Sequence, residues 1–136
     1  MQFNFNSSEP IYLQVAQQIE DAIFTGGFKE GEQIPSTTEI SKEFHINPAT
    51  VLKGMNQLVS RKLLEKHRGV GMFVAEGASN QITLNRQQNF YNKYVIGVVK
   101  EAVSLNINEE DLKKLIEQGY KSYEGDRSKA GNQVIR

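Results

Sequence analysis

The chain has 136 residues, three prolines, no cysteine, no tryptophan and a formal net charge of zero. Without cysteine there is no disulfide scaffold, no thiolate metal site and no cysteine nucleophile. The length suits one domain, or a small domain with an appendage. No apolar run approaches the length of a membrane span, and Met1–Asn6 lacks a basic-then-apolar leader. A cytoplasmic chain is therefore expected.

Neutrality taken as an average argues against a polyanionic partner, but the charge is unevenly placed. Residues 1–41 carry six acids against Lys29, a net −5, and residues 76–136 hold nine bases and eight acids, a net +1. Residues 42–75 carry Lys42, Lys53, Arg61, Lys62, Lys66 and Arg68 against Glu43 and Glu65, a net +4. The middle of the chain is a basic island, which is what a phosphate-binding surface requires.

In chain order, Ile11, Val15, Ile19 and Ile23 recur every four residues and define one face of a helix running from Pro10 to about Thr25. Pro10 suits its first position, and Gly26-Gly27 stops it. Phe28–Gln33 reads as a turn. Ser36-Thr37-Thr38-Glu39 is a capping box that starts a short helix carrying Ile40 and Phe44 inward. After a tight turn at His45-Ile46, Asn47 caps and Pro48 opens a third helix with Val51, Leu52, Met55, Leu58 and Val59 as its buried stripe. Two such helices joined by a short turn make a helix-turn-helix.

Leu64–His67 and Met72–Ala75 flank Arg68-Gly69-Val70-Gly71 and read as a β-hairpin. Helix, helix-turn-helix and hairpin occur in the order of a winged helix. Its expected core is Ile19, Ile23, Ile34, Ile40, Phe44, Val51, Leu58, Leu64 and Phe73. Gly77–Asn80 reads as a linker. Beyond it, Tyr91, Tyr94, Val95, Val98, Ala102 and Leu105 form an apolar stripe at helical spacing. Asn106 breaks that helix, and Asn108 caps a last short one bearing Leu112, Leu115 and Ile116. The tail from Lys121 is polar and aperiodic and is expected to fray.

Several segments carry chemistry that a plain structural role would also explain. Asn47, Ala49, Thr50 and Lys53 lie on or near the helix face opposite Val51, Leu52 and Met55. Such residues at the start of a recognition helix can pair with adenine, meet thymine methyls, or reach guanine or phosphate. The same Asn-Pro-Ala-Thr also serves simply as a well-capped start. Ser36, Thr37 and Thr38 head the preceding helix and suit a backbone phosphate, while for Ser36 capping alone is the better explanation, which leaves a phosphate open to Thr37 or Thr38. Arg68 and Gly69 form either a wing tip lying in a minor groove or an ordinary glycine turn. Gly69 and Gly71 are a bare G-x-G with no helix after it, so a nucleotide loop is not supported. The two histidines share no ligand spacing with an acid cluster, and no nucleophile elbow occurs. No metal, no cofactor and no enzymatic activity are expected.

The wide stripe Tyr91–Leu105 exceeds what one helix and a short partner can bury by themselves. A dimer interface or packing back onto the winged helix would cover it. Tyr91 and Tyr94 as the floor of a small-molecule effector pocket is a third reading without further support.

Taken together, Pro10-Ile11-Tyr12-Leu13-Gln14, Gly31-Glu32-Gln33-Ile34-Pro35-Ser36, Asn47-Pro48-Ala49-Thr50-Val51 and Arg68-Gly69-Val70-Gly71-Met72-Phe73-Val74 resemble the GntR family of bacterial transcription regulators. The resemblance spans about residues 10–75 in the right order. The Asn-Pro-Ala-Thr start, the Gly-Met-Phe-Val strand and the short helical tail are similar to its YtrA subfamily. It implies a mainly α protein: an N-terminal winged helix-turn-helix with a small β-hairpin wing, and a C-terminal two-helix dimerisation appendage. It also implies regulation of neighbouring transporter operons. Carried over by position, it assigns DNA contact to Ser36, Thr37, Thr38, Asn47, Ala49, Thr50, Lys53, Arg68 and Gly69. Many family members carry arginines where this chain has Thr38, Pro48 and Leu52. Weaker guanine reading and more reliance on methyl contacts, shape and wing follow.

The expected organisation is a DNA-binding domain over residues 1–77, a helical dimerisation region over 78–120 and a flexible tail over 121–136. The expected function is a homodimeric repressor on an inverted-repeat operator. A ligand-gated regulator and a winged-helix protein–protein adaptor are the alternatives.

Overall fold

The sequence's stop and start signals place the elements. In the computed structural model, which describes residues 1–130, the helices α1 (Ile11–Phe24), α2 (Thr37–Phe44) and α3 (Pro48–Ser60) precede an antiparallel hairpin of β1 (Leu64–His67) and β2 (Gly71–Val74). Helix α4 (Ala78–Phe90), a π-helical turn (Tyr91–Val95), α5 (Ile96–Ser104) and α6 (Glu109–Ala130) follow. The chain divides into two compact units, Met1–Gln88 and a second beginning at Asn89.

In the first unit, the four-residue apolar spacing of α1 delivers Val15, Ile19 and Ile23 to a core shared with Ile34, Ile40, Val51, Met55, Leu58, Leu63 and Leu64. Each such side chain removed from water contributes roughly 1.5–3 kcal/mol. Helices α1 and α3 cross at Gly54, where even a Cβ would stand 2.6 Å from the Tyr12 carbonyl oxygen. Glycine there allows the close approach on which the three-helix packing rests. Ser36 and Glu39 close both halves of the capping box at 3.0 Å each, and Asn47 Oδ1 accepts from the Ala49 amide at 2.8 Å. Only His45–Asn47 separate α2 from α3, with His45 in the left-handed region at φ 56°. That is a helix-turn-helix.

The hairpin pairs Leu64 with Val74, Glu65 with Phe73, Lys66 with Met72 and His67 with Gly71. Because Leu64 and Val74 are both buried, the two-residue period places Met72 inside and Phe73 on the outer face. Phe73, expected in the core, instead stacks on His67 with ring centroids 4.3 Å apart. Phe44, also expected there, does pack against the core but is only half-buried, and it meets Phe3 edge-on at 5.1 Å. The segment before α2, read from sequence as a turn, ends by pairing with β2. The Ile34 amide donates to the Met72 carbonyl at 3.0 Å, and the Val74 amide donates to Glu32 at 2.9 Å.

The expected linker at Gly77–Asn80 is shorter in fact. Gly77 turns at φ 82°, its amide donates to Glu30 at 2.7 Å, and α4 begins at once. Ala78 and Ile82 are fully buried in the same core, so the first unit extends to Gln88 rather than 77. Arg86 of α4 reinforces the join. It pairs with Glu20 at 3.0 Å and Asp21 at 2.8 Å, and Arg61 meets the other Glu20 oxygen at 2.6 Å. Burial disfavours the Arg86 charge, but hydrogen bonds to Asp21 and Glu20 and their negative charges outweigh it and hold its pKa above the usual value.

In the second unit, Asn106 at φ 60° ends α5 as the sequence suggests, and Asn108 caps α6 through the Asp111 amide at 2.9 Å. Helix α6 does not stop near residue 120. It continues to Ala130, through part of the segment expected to fray. Acidic Glu109–Asp111 at its start suit the helix dipole, and Lys121 pairs with Glu117 at 3.2 Å one turn back. The rest of the expected tail, 131–136, lies outside the described residues.

Candidate nucleic-acid interface

Helix α3 buries Val51, Met55 and Leu58 and leaves Ala49, Lys53, Asn56, Gln57 and Ser60 exposed, with Thr50 half-buried. Asn47, Ala49, Thr50 and Lys53 therefore share the accessible start of the helix, as the spacing predicted. The same stripe continues through Asn56, one turn beyond Lys53, and on to Ser60. Periodicity alone identifies these two, and they were not singled out from the sequence.

Two of the candidates have prior engagements. The Asn47 side-chain oxygen caps α3, which leaves its amide nitrogen as the freer group. The Lys53 ammonium lies 4.0 Å over the Tyr12 ring on α1, a cation–π contact that draws it toward the neighbouring helix. Tyr12 joins the site through this contact. Nothing local in the sequence points to it, because the pair is assembled only by the α1/α3 crossing.

At the head of α2, Ser36 is held by the capping box, while Thr37 is half-buried and Thr38 exposed. The first amides of α2 and its dipole face the same end as these hydroxyls. On the hairpin, the Val70 amide donates to the His67 carbonyl at 2.9 Å, which closes the tip around Arg68 and Gly69. Gly69 sits at φ 77°, where a Cβ is strained, and Arg68 and Val70 are exposed.

The basic island is not uniformly available. Arg61 is committed to Glu20, whereas among the described residues Lys42, Lys53, Lys62, Lys66 and Arg68 form no ion pair. Among the described residues no cluster of three or more His, Asp or Glu is placed to hold a metal ion, and no helix is long and apolar enough to cross a membrane.

In the second unit, Tyr91 and Tyr94 are more than half exposed, and Val98 and Leu105 are also open. Ala102, expected on the same stripe, is buried within the chain and leaves that surface. The π-helical turn explains part of the difference. The Ile96 amide reaches back five residues to Tyr91, which rotates residues before the turn relative to an α-helical count. Phe90, Val99 and Val103, which the sequence reading had not assigned, are exposed as well.

Three packed helices, the third with a capped start and an accessible polar stripe, followed by a glycine-tipped hairpin, define a winged helix-turn-helix. A crystal structure of a transcriptional regulator from Oenococcus oeni shares this fold, with a TM-score of 0.71 and 25% identity over 87% of this chain and 97% of that one. The sequence profile of bacterial regulatory proteins of the gntR family matches residues 11–74. The chain is 30% identical over 112 residues to the uncharacterized HTH-type transcriptional regulator YhcF of Bacillus subtilis, covering 82% of this chain and 91% of YhcF. The chain belongs to the GntR family. It is also 33% identical over 82 residues to the HTH-type transcriptional repressor YtrA of Bacillus subtilis, covering 60% of this chain and 63% of YtrA. Its first part is similar to AraR(DBD) in a crystal structure with operator ORX1, with a TM-score of 0.51 and 32% identity over 54% of this chain and 93% of that one. The family and these relatives are transcriptional regulators and not enzymes.

Proposed function

We propose that the chain is a repressor that binds an inverted-repeat operator as a homodimer, within the YtrA branch of the family. The observation that carries this reading is the accessible polar stripe at the start of α3, flanked by a basic wing. A solved relative of the same module, AraR(DBD), is in complex with an operator.

In this reading α3 enters the major groove. Ala49 and the Thr50 methyl meet thymine methyls, and the Asn47 amide nitrogen donates to a base or phosphate oxygen. Lys53, turned toward Tyr12, serves phosphate rather than guanine. Ser36 remains a cap, and Thr37 and Thr38 with the first α2 amides hold a second phosphate. Arg68, with Gly69 allowing close approach, reaches the minor groove. With no arginine in the stripe, base reading rests on weak contacts, so groove shape contributes more to specificity.

The exposed apolar residues Tyr91, Tyr94, Val98 and Leu105, with half-buried Val95 beside them, support dimerisation through the second unit, since such a stripe on a helical surface calls for a partner. A neutral chain has little long-range pull on DNA. Two half-sites held together compensate through effective concentration. Repression is then steric, by occupying a promoter, and the sequence resemblance to the YtrA subfamily extends the proposal to a transporter operon. Gel-shift titration against the upstream region of the chain's own gene tests it. A salt-sensitive, sequence-selective shift is expected, and no shift at any salt concentration refutes it.

A further inference from the structure

We infer that Gln33 is the positioning residue of the wing, and that Gly71 is glycine to make room for it. Gln33 lies where the chain pairs with β2, directly opposite Phe73. From there its side chain reaches the hairpin tip, where Nε2 donates to the Val70 carbonyl at 2.9 Å. The Val70 amide is already bound to the His67 carbonyl at 2.9 Å. Both main-chain polar groups of Val70 are therefore fixed, one by the tip itself and one by a residue 37 positions earlier in the chain. Arg68 and Gly69 lie between His67 and the doubly anchored Val70.

Gly71 supplies a second observation on the same amide. Its φ is 143°, and a Cβ built there would lie 2.6 Å from Gln33 Nε2. Any side chain at 71 would thus displace the amide that holds the tip, besides straining the backbone. A two-stranded hairpin is marginal alone, and its turn would sample many arrangements. The brace removes that freedom before DNA arrives, so the cost of ordering the tip is not charged to binding. Gln33 is also three residues ahead of Ser36, the cap of α2. It therefore ties the wing tip to the helix start that contains Thr37 and Thr38, and keeps two backbone contacts in register. A neutral amide suits this place, since a carboxylate has no hydrogen to donate to Val70 and would repel phosphate.

The affinity part of this inference rests on the operator-binding reading, whereas the order of the tip does not. The test therefore has two arms on Gln33→Met, which keeps the length and removes the donor, and on Gln33→Asn, which keeps the donor and loses reach. In free protein, backbone 15N relaxation at Arg68, Gly69 and Val70 should change from rigid values, S² of about 0.85, to below about 0.6 in both variants. Unchanged order parameters overturn the brace. On operator DNA, Gln33→Met should weaken binding about five-fold in the native background, which is the scale of one hydrogen bond. In an Arg68→Ala background it should weaken binding less than about two-fold, because the group being positioned is gone. Equal losses in both backgrounds would reduce Gln33 to a general structural role and overturn the assignment. If native protein binds no DNA, the operator reading fails, and relaxation alone decides whether Gln33 orders the tip.

Discussion

Substituting Gly54→Ala should separate the helices that carry the site. The new Cβ would stand 2.6 Å from the Tyr12 carbonyl oxygen and 2.9 Å from Val15 Cβ and Cγ1. Comfortable contacts lie near 3.5 Å, so α1 and α3 must part by about 0.6–0.9 Å. The obstructing oxygen belongs to helix backbone and cannot swing aside as a long side chain would. Overpacking of this kind costs about 1–3 kcal/mol. Alanine's greater helix propensity returns about 1 kcal/mol, and the rigid obstruction places the clash at the upper end of its range. The expected net loss is about 2 kcal/mol, a fall in Tm of roughly 8–16 °C for a unit of this size. Urea unfolding followed by circular dichroism, at fixed protomer concentration because dimerisation would shift the midpoint, measures it. Gly97→Ala is the control. It lies in α5 with nothing within 4 Å of its Cβ position, and should stabilise by up to about 1 kcal/mol. A Gly54→Ala protein as stable as the parent, with an unchanged m-value, would refute the close-crossing account.

Other perturbations address the charge network and the interface. Lys53→Ala should weaken DNA binding and lower the slope of log affinity against log salt by about one, and an unchanged slope removes the phosphate role. Glu20→Ala leaves Arg61 and Arg86 without their shared carboxylate; because both guanidiniums are partly exposed, the loss should be about 1–2 kcal/mol in urea unfolding. An unchanged midpoint would show that the network contributes nothing to α4 docking. Tyr94→Glu should give monomer in sedimentation at micromolar concentration, since a carboxylate in an apolar interface is desolvated without a partner. A persistent dimer would locate the interface elsewhere.

What could be read from sequence was local. The four-residue spacing of Ile11 to Ile23, the Ser36–Glu39 box, the Asn47-Pro48 start and the Gly69 turn each act within a few residues, and each forms as expected. Missing were features whose cause lies far along the chain. Phe73 and Met72 are both large and apolar, and only pairing with the buried Leu64 decides which faces inward. Arg61 counts as free positive charge until Glu20, 41 residues earlier, is found against it. Lys53 meets Tyr12, and Val70 meets Gln33, only once the fold has formed. The extension of α6 past residue 120 was hidden for a different reason. A polar helix stabilised by pairs such as Lys121–Glu117 has little apolar periodicity to reveal it.

DNA selection by the chain tests the operator reading most directly. Selection from a random duplex library by the protein, sequenced after several rounds, should enrich an inverted repeat if it binds as the proposed dimer. Its half-site centres should lie about one helical turn or a whole multiple apart, with thymines at the positions proposed to face Ala49 and Thr50. Enrichment of an asymmetric single site, or of nothing above background, would contradict it.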